Sequence, residues 1–87
     1  MALVAAEAPR RIVSLSPTLT EILYGVGAFP QVVGVSDYST WPPEAARLPS
    51  VGGWADPDLE KLLSLRPDLV VADDAQAPLF TMPEERA

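Results

Sequence analysis

Three aromatic residues stand in loops instead of periodic apolar segments. Tyr38 and Trp41 lie in "SDYSTWPP", and Trp54 lies in "VGGWADP". Proline and glycine shape the backbone in both places without regular pairing. Aromatics presented this way stack on flat, partly apolar ligands, and Tyr and Trp keep a polar handle for the ligand's edge. The competing assignment is that they close the open end of a small core. Tyr38 and Trp54 read as ligand contacts. For Trp41 the weight falls on closing the core, and it stays with the other two as a ligand-binding candidate.

The remaining polar groups offer less chemistry. Glu60 sits in the first turn of an expected helix, where an acidic residue favours the positive end of the helix dipole. The same carboxylate, if exposed, can dock on an arginine of a partner through a charge-assisted contact. "SLSPTLTE" holds Ser14, Ser16, Thr18 and Thr20, but the chain has no histidine to serve as base for a serine nucleophile. These hydroxyls read as turn and capping groups. Asp73 and Asp74 follow a strand and read as a solvated turn ahead of a cation site. "GVGAF" ends a helix and is no phosphate-binding loop. No catalytic residue, metal ligand set or cofactor is expected.

Elements that would position these residues follow from the apolar pattern. "RIVSLSP", Arg11 to Pro17, reads as a short buried strand running into a turn. In "SPTLTEILYGVG", Ser16 or Thr18 can cap a helix, Pro17 suits its first turn, and Thr18 with Glu21 has capping-box spacing. Leu19, Ile22, Leu23 and Val26 would form its apolar face, and Gly27 would end it. "QVVGVS", residues 31–36, is a second strand whose Gly34 signals a close approach. A helical turn is expected from Pro42 or Pro43 through Ala46. The next helix would start near Asp56 as cap, with Pro57 at its first position. It would bury Leu59, Leu62, Leu63 and Leu65, and stop at Pro67. "DLVVA", residues 68–72, is a third strand. The final "DDAQAPLFTMPEERA" has neither a helical stripe nor strand alternation. Helical crossovers between buried strands predict an α/β fold with a parallel sheet and right-handed connections. Ligands bind such sheets beyond the carboxyl ends of the strands.

The 87 residues carry 12 acidic and 6 basic side chains, a net charge of −6. That balance argues against nucleic acid and against anionic membrane surfaces. Cysteine is absent, so thiolate chemistry and disulfides are too. Hydrophobic residues make up 48%, a globular composition, yet no apolar run nears the ~20 residues of a membrane helix. The opening "MALVAAEAPRR" resembles the tail of a secretory signal without its basic start. Residues 1–9 are therefore either a remnant of an export signal or a frayed terminus, and 10–87 form a partial α/β unit.

From Arg10 to about Ala72, the ordered pieces S-P-x-x-T-E, G-V-S-x-Y-S-x-x-P-P, V-G-x-W and L-x-P-D-L-V resemble a known family. It comprises the periplasmic substrate-binding proteins of ABC importers for corrinoids and iron siderophores, with the nearest likeness to cobalamin-binding members. The resemblance implies a binding protein with no enzymatic activity. It implies two α/β lobes joined by a long helix, with ligand held between them, and docking on the permease from the periplasmic or extracytoplasmic side. By matching position, Tyr38 and Trp54 would contact the corrinoid and Glu60 would pair with permease arginines. The chain would be an N-terminal fragment of the first lobe, with weak affinity at most and an exposed sheet edge prone to self-association. After Ala72 the likeness is expected to fade. Within the same family, the cargo could instead be an iron siderophore or haem. From another class, a small flavodoxin-like enzyme or regulatory domain would use Asp37, Asp73 or Asp74 at strand ends. A structural half-lobe with no function alone is the third reading.

Overall fold

The computed structural model describes residues 9–76. Three short strands, β1 (Ile12–Ser14), β2 (Val32–Val35) and β3 (Leu69–Val71), form a parallel sheet in the order β2-β1-β3. Helix α1 (Pro17–Gly25) connects β1 to β2, and helix α2 (Leu59–Ser64) precedes β3. This is the α/β parallel sheet with helical crossovers that the apolar pattern implies.

Side-chain alternation along β1 divides the core between the two faces of the sheet. Ile12 packs with Val32 and Val35, against Leu23 of α1. Val13 and Leu15 pack with Val51 and Leu62 of α2. The register slips by one residue along β2, so Ile12 pairs with Val32 but Val13 pairs with Gly34. The extra residue, Val33, turns towards the α2 face, and Val32 and Val35 both reach the α1 face. Gly34 leaves room for neighbouring side chains, not backbone: a Cβ there would meet Leu65 Cδ1 at 2.6 Å and Val51 Cγ1 at 3.4 Å, with the nearest backbone atom, the Pro49 carbonyl oxygen, at 3.6 Å.

Helix α1 begins as expected, with Ser16 extended at the cap position and Pro17 at the first helical position. The capping box does not form. With Pro17 inside the helix, Thr18 is helical and exposed, and the Ser16 side chain makes no cap bond. Gly27 is left-handed (φ +83°) just past the helix end, as expected.

Helix α2 starts two residues later than its proline suggests. Asp58 is the cap, its Oδ1 accepting from the Lys61 amide at 3.1 Å. Pro57 is held outside the helix by antiparallel pairing with Gly52, and the Asp58 amide donates to the Val51 carbonyl at 2.6 Å. Gly52 makes this return possible at φ +100°, where a Cβ would lie 2.7 Å from the Asp58 nitrogen.

Both helices bury less than periodicity implies. In α2 only Leu62 is buried, while Leu59 and Leu63 are exposed and Leu65 is half-buried. In α1 the buried residue is Thr20, and Ile22 and Val26 are exposed. Helical spacing fixes which residues share a face, but the neighbouring layer fixes how much of that face is covered. Leu59, Leu62, Leu63, Val70 and Ala72 consequently line an open apolar groove of about 490 Å³.

The two ends of the sheet are held differently. At the amino ends of β1 and β3, the Asp68 carboxylate accepts from the backbone amides of Arg10 and Arg11, both at 2.9 Å. These bonds hold the Asp68 carboxyl below the usual carboxylate range. The Arg11 guanidinium donates to the Leu65 carbonyl at 2.9 and 2.7 Å, satisfying the end of α2. The carboxyl ends, by contrast, are held by buried hydroxyls and the Gln76 amide together with the Asp37 and Asp73 carboxylates.

Candidate functional site

Strands β2 and β3 lie on either side of β1, so the β1–β2 connection and the β2–β3 connection run in opposite directions along the sheet. The crevice outside the carboxyl end of β1 is therefore the switch point where ligands bind in open α/β sheets. Three segments converge there: the Leu15–Ser16 turn, the loop after β2, and the segment after β3.

The loop after β2 is pinned by buried hydroxyls. Thr20 Oγ1 lies 2.9 Å from Ser14 Oγ, 3.1 Å from the Ser16 carbonyl and 3.4 Å from Ser39 Oγ. Ser39 Oγ is in turn 3.1 Å from Ser36 Oγ. All five residues are buried. Every buried side-chain nitrogen and oxygen among the described residues has a partner. Thr20 is thus the hub joining β1, α1 and the loop, beyond the capping role its position suggests.

The pinned turn carries Tyr38. The Ser39 amide donates back to the Ser36 carbonyl at 3.3 Å, and Tyr38 takes a left-handed conformation (φ +65°) between them. That conformation is unfavourable for a bulky side chain, and it persists where the surroundings impose it. The residue is 88% exposed. Next to it, the Asp37 amide donates to the Gly52 carbonyl at 2.8 Å, and Asp37 Oδ1 accepts from Ser50 Oγ. Residues 49–51 also run alongside β2 through Val35–Pro49 and Val51–Val35 backbone bonds. The Tyr38 and Trp54 loops are therefore fixed to one another.

Trp54 occupies the return between Gly53 and Pro57, with its side chain 42% exposed. Its indole Nε1 donates to Asp73 Oδ2 at 2.9 Å. Its carbonyl accepts from Gln76 Nε2 at 2.8 Å, and the same amide nitrogen donates to the Leu15 carbonyl at 2.8 Å. The connection that carries Trp54 thus comes back to the carboxyl end of β1 before α2 begins. The indole is not sealed beneath the leucines of α2.

Trp41 has a different setting. The residue is 51% exposed, and its ring stands edge-on to Tyr24 of α1, with centroids 4.9 Å apart at 77°. Tyr24 in turn meets Phe29 edge-on at 5.8 Å. Trp41 thus packs on the exposed ring of Tyr24 outside the buried core, and about half of the residue stays open to solvent. Glu60 lies exposed in the first turn of α2. Of the three candidates for strand-end chemistry, Asp37 and Asp73 are engaged with Ser50 and Trp54, and Asp74 is exposed. No cluster of three or more acidic, histidine or cysteine residues that could hold a metal occurs among the described residues.

Gln76 escaped the sequence reading. It belongs to a segment with no periodicity, and nothing in "DDAQA" separates it from a surface residue. Asp73 stood out only as half of an acidic pair at a strand end, with no sign that it would accept from Trp54.

The family model for periplasmic binding proteins matches residues 12–86, and the chain belongs to that family. The match runs past Ala72, where the resemblance was expected to fade. The vitamin B12-binding protein of Pectobacterium carotovorum is 44% identical over 64 residues, covering 74% of this chain and 23% of that protein. The periplasmic vitamin B12 binding protein of Vibrio cholerae superposes with a TM-score of 0.72 at 40% identity, covering 88% of this chain and 29% of that one. A periplasmic heme-binding protein from Roseiflexus superposes equally well, at TM-score 0.72 and 40% identity over 88% of this chain and 28% of its own. The chain therefore spans less than a third of the proteins it resembles.

Proposed function

We propose that this chain contributes one wall of a site for a flat macrocyclic ligand, a corrinoid such as cobalamin, in the substrate-binding component of an ABC importer. That component works on the periplasmic or extracytoplasmic side and performs no chemistry on its cargo. The observation that carries the reading is the pair of aromatics at the switch point. Tyr38 is imposed on a turn that disfavours it and left exposed, and Trp54 is tethered by its polar edge yet still partly exposed. Such surfaces contribute apolar burial and stacking to a planar ligand. Trp41 flanks the same loop and would extend the wall. Glu60, exposed at the start of α2, would meet an arginine of the permease. The similarity to vitamin B12-binding proteins supports the corrinoid as first choice. The equal superposition on a heme-binding protein supports haem as the alternative.

Titration of the purified chain with cyanocobalamin and, separately, hemin tests the reading through tryptophan fluorescence and calorimetry. The expected result is saturable binding, tighter for cyanocobalamin, that Trp54→Ala weakens about tenfold, near 1.4 kcal/mol. Absence of heat and saturable quenching with both ligands up to about 1 mM, a free energy near −4 kcal/mol, would overturn it.

A further inference from the structure

We propose that Asp73 and Gln76 are positioning residues for Trp54, holding its indole ready before ligand arrives. The inference rests on the ligand-wall reading above for its consequence, though not for its geometry.

Trp54 follows two glycines on an exposed return, a setting that leaves an indole free to change rotamer. The structure removes that freedom from both sides of the residue. Gln76 is fully buried, at 0% exposure, and its amide is used at every polar atom. Nε2 donates to the Leu15 and Trp54 carbonyls, each at 2.8 Å, and Oε1 accepts from the Asp73 amide at 2.8 Å. The Gln76 amide nitrogen closes the turn by donating to the Asp73 carbonyl at 2.9 Å. Asp73, fixed in this way, accepts the indole Nε1–H. A closed circuit results. It runs from the Trp54 carbonyl through the Gln76 side chain to the Asp73 backbone, and from the Asp73 carboxylate back to the Trp54 ring. One end of Trp54 is thereby tied to the exit of β1 and the other to the exit of β3.

Preorganisation of this kind raises affinity by removing the cost of immobilising a side chain on binding. Asp73 also has geometry that a mere solvated turn does not need. Its carboxylate meets the indole nitrogen of a residue 19 positions away at a normal donor–acceptor distance.

The test uses Asp73→Leu, which removes the acceptor at similar size, and Asp73→Asn, which keeps a carbonyl oxygen. The chain has two tryptophans, so a nitrogen–proton spectrum shows two indole signals, and Trp54→Phe identifies the one of interest. In the free chain, Asp73→Leu should move the Trp54 indole signal and broaden it, while Asp73→Asn should restore it towards its original place. Affinity for cyanocobalamin should fall about fivefold in Asp73→Leu and stay within twofold in Asp73→Asn. An unmoved indole signal in Asp73→Leu overturns the proposal, as does unchanged affinity where Trp54→Ala still weakens binding tenfold. If Trp54→Ala has no effect on affinity, the ligand-wall reading fails by itself. The tether then stands or falls on the indole signal alone.

Discussion

Tyr38 and Trp54 are presented at the same end of the sheet by opposite means. Around Tyr38 the backbone is fixed and the side chain is exposed: buried hydroxyls of Ser14, Thr20, Ser36 and Ser39 hold the turn, and no hydrogen bond to the phenol occurs among the described residues. Around Trp54 the ring itself is fixed, through Asp73, and its carbonyl is fixed through Gln76. On the proposed ligand-wall reading, the difference sets where each residue's binding cost would fall. Tyr38 carries its cost in advance as an unfavourable backbone conformation and still has to order its side chain. Trp54 has already surrendered its side-chain freedom.

Breaking the hub beneath Tyr38 should have the largest effect on stability. Thr20→Val keeps the shape but removes the hydroxyl shared by Ser14, Ser16 and Ser39. A loss of about 1–2 kcal/mol is expected, since buried partners are left poorly satisfied. Denaturant unfolding measures it, and the Trp54 indole signal should stay in place because its own tether is intact. A smaller and opposite effect is expected at Tyr38. Replacing an exposed aromatic by glycine usually destabilises, but Tyr38→Gly relieves a left-handed backbone worth about 1–2 kcal/mol. Glycine's larger unfolded-state entropy offsets about 0.5–1 kcal/mol of that. The melting midpoint should hold or rise slightly while cyanocobalamin affinity falls, which separates the strain from the function.

The smallest effect belongs to the far end of the sheet. Asp68 is held below its ordinary range by the Arg10 and Arg11 amides. A depressed carboxylate contributes stability above its unfolded value and loses it as pH falls through the folded one. Stability should therefore decline below about pH 4, and Asp68→Asn should flatten that part of the pH profile. Because Asp68 is exposed, the change is modest, and the environments of Tyr38 and Trp54 should not respond.

Much of this arrangement is written in local sequence. Branched apolar runs mark all three strands, Ser-Pro marks the entry to α1, and Gly27 marks its exit. Crossovers between such strands imply the parallel sheet, and the sheet implies a site at its carboxyl end. Legibility stops where a long-range contact overrides a local preference. Pro57 suits a first helical position, yet pairing with Gly52 holds it outside α2. Leu59 and Leu63 share a helical stripe with Leu62, but a helix of six residues meets the core at one point. Gln76 is the extreme case. Its role depends on Leu15 and Trp54, 61 and 22 positions away, and no local pattern records either contact.

The central claim is that Tyr38 and Trp54 form one ligand-facing wall. Mapping amide and indole shifts while cyanocobalamin is added to the isotope-labelled chain tests it most directly. Changes concentrated at residues 36–39 and at Trp54, with Leu59, Leu63 and Val70 quiet, are the predicted result. Shifts confined to the apolar groove of α2 and β3, or spread evenly without saturation, would contradict it.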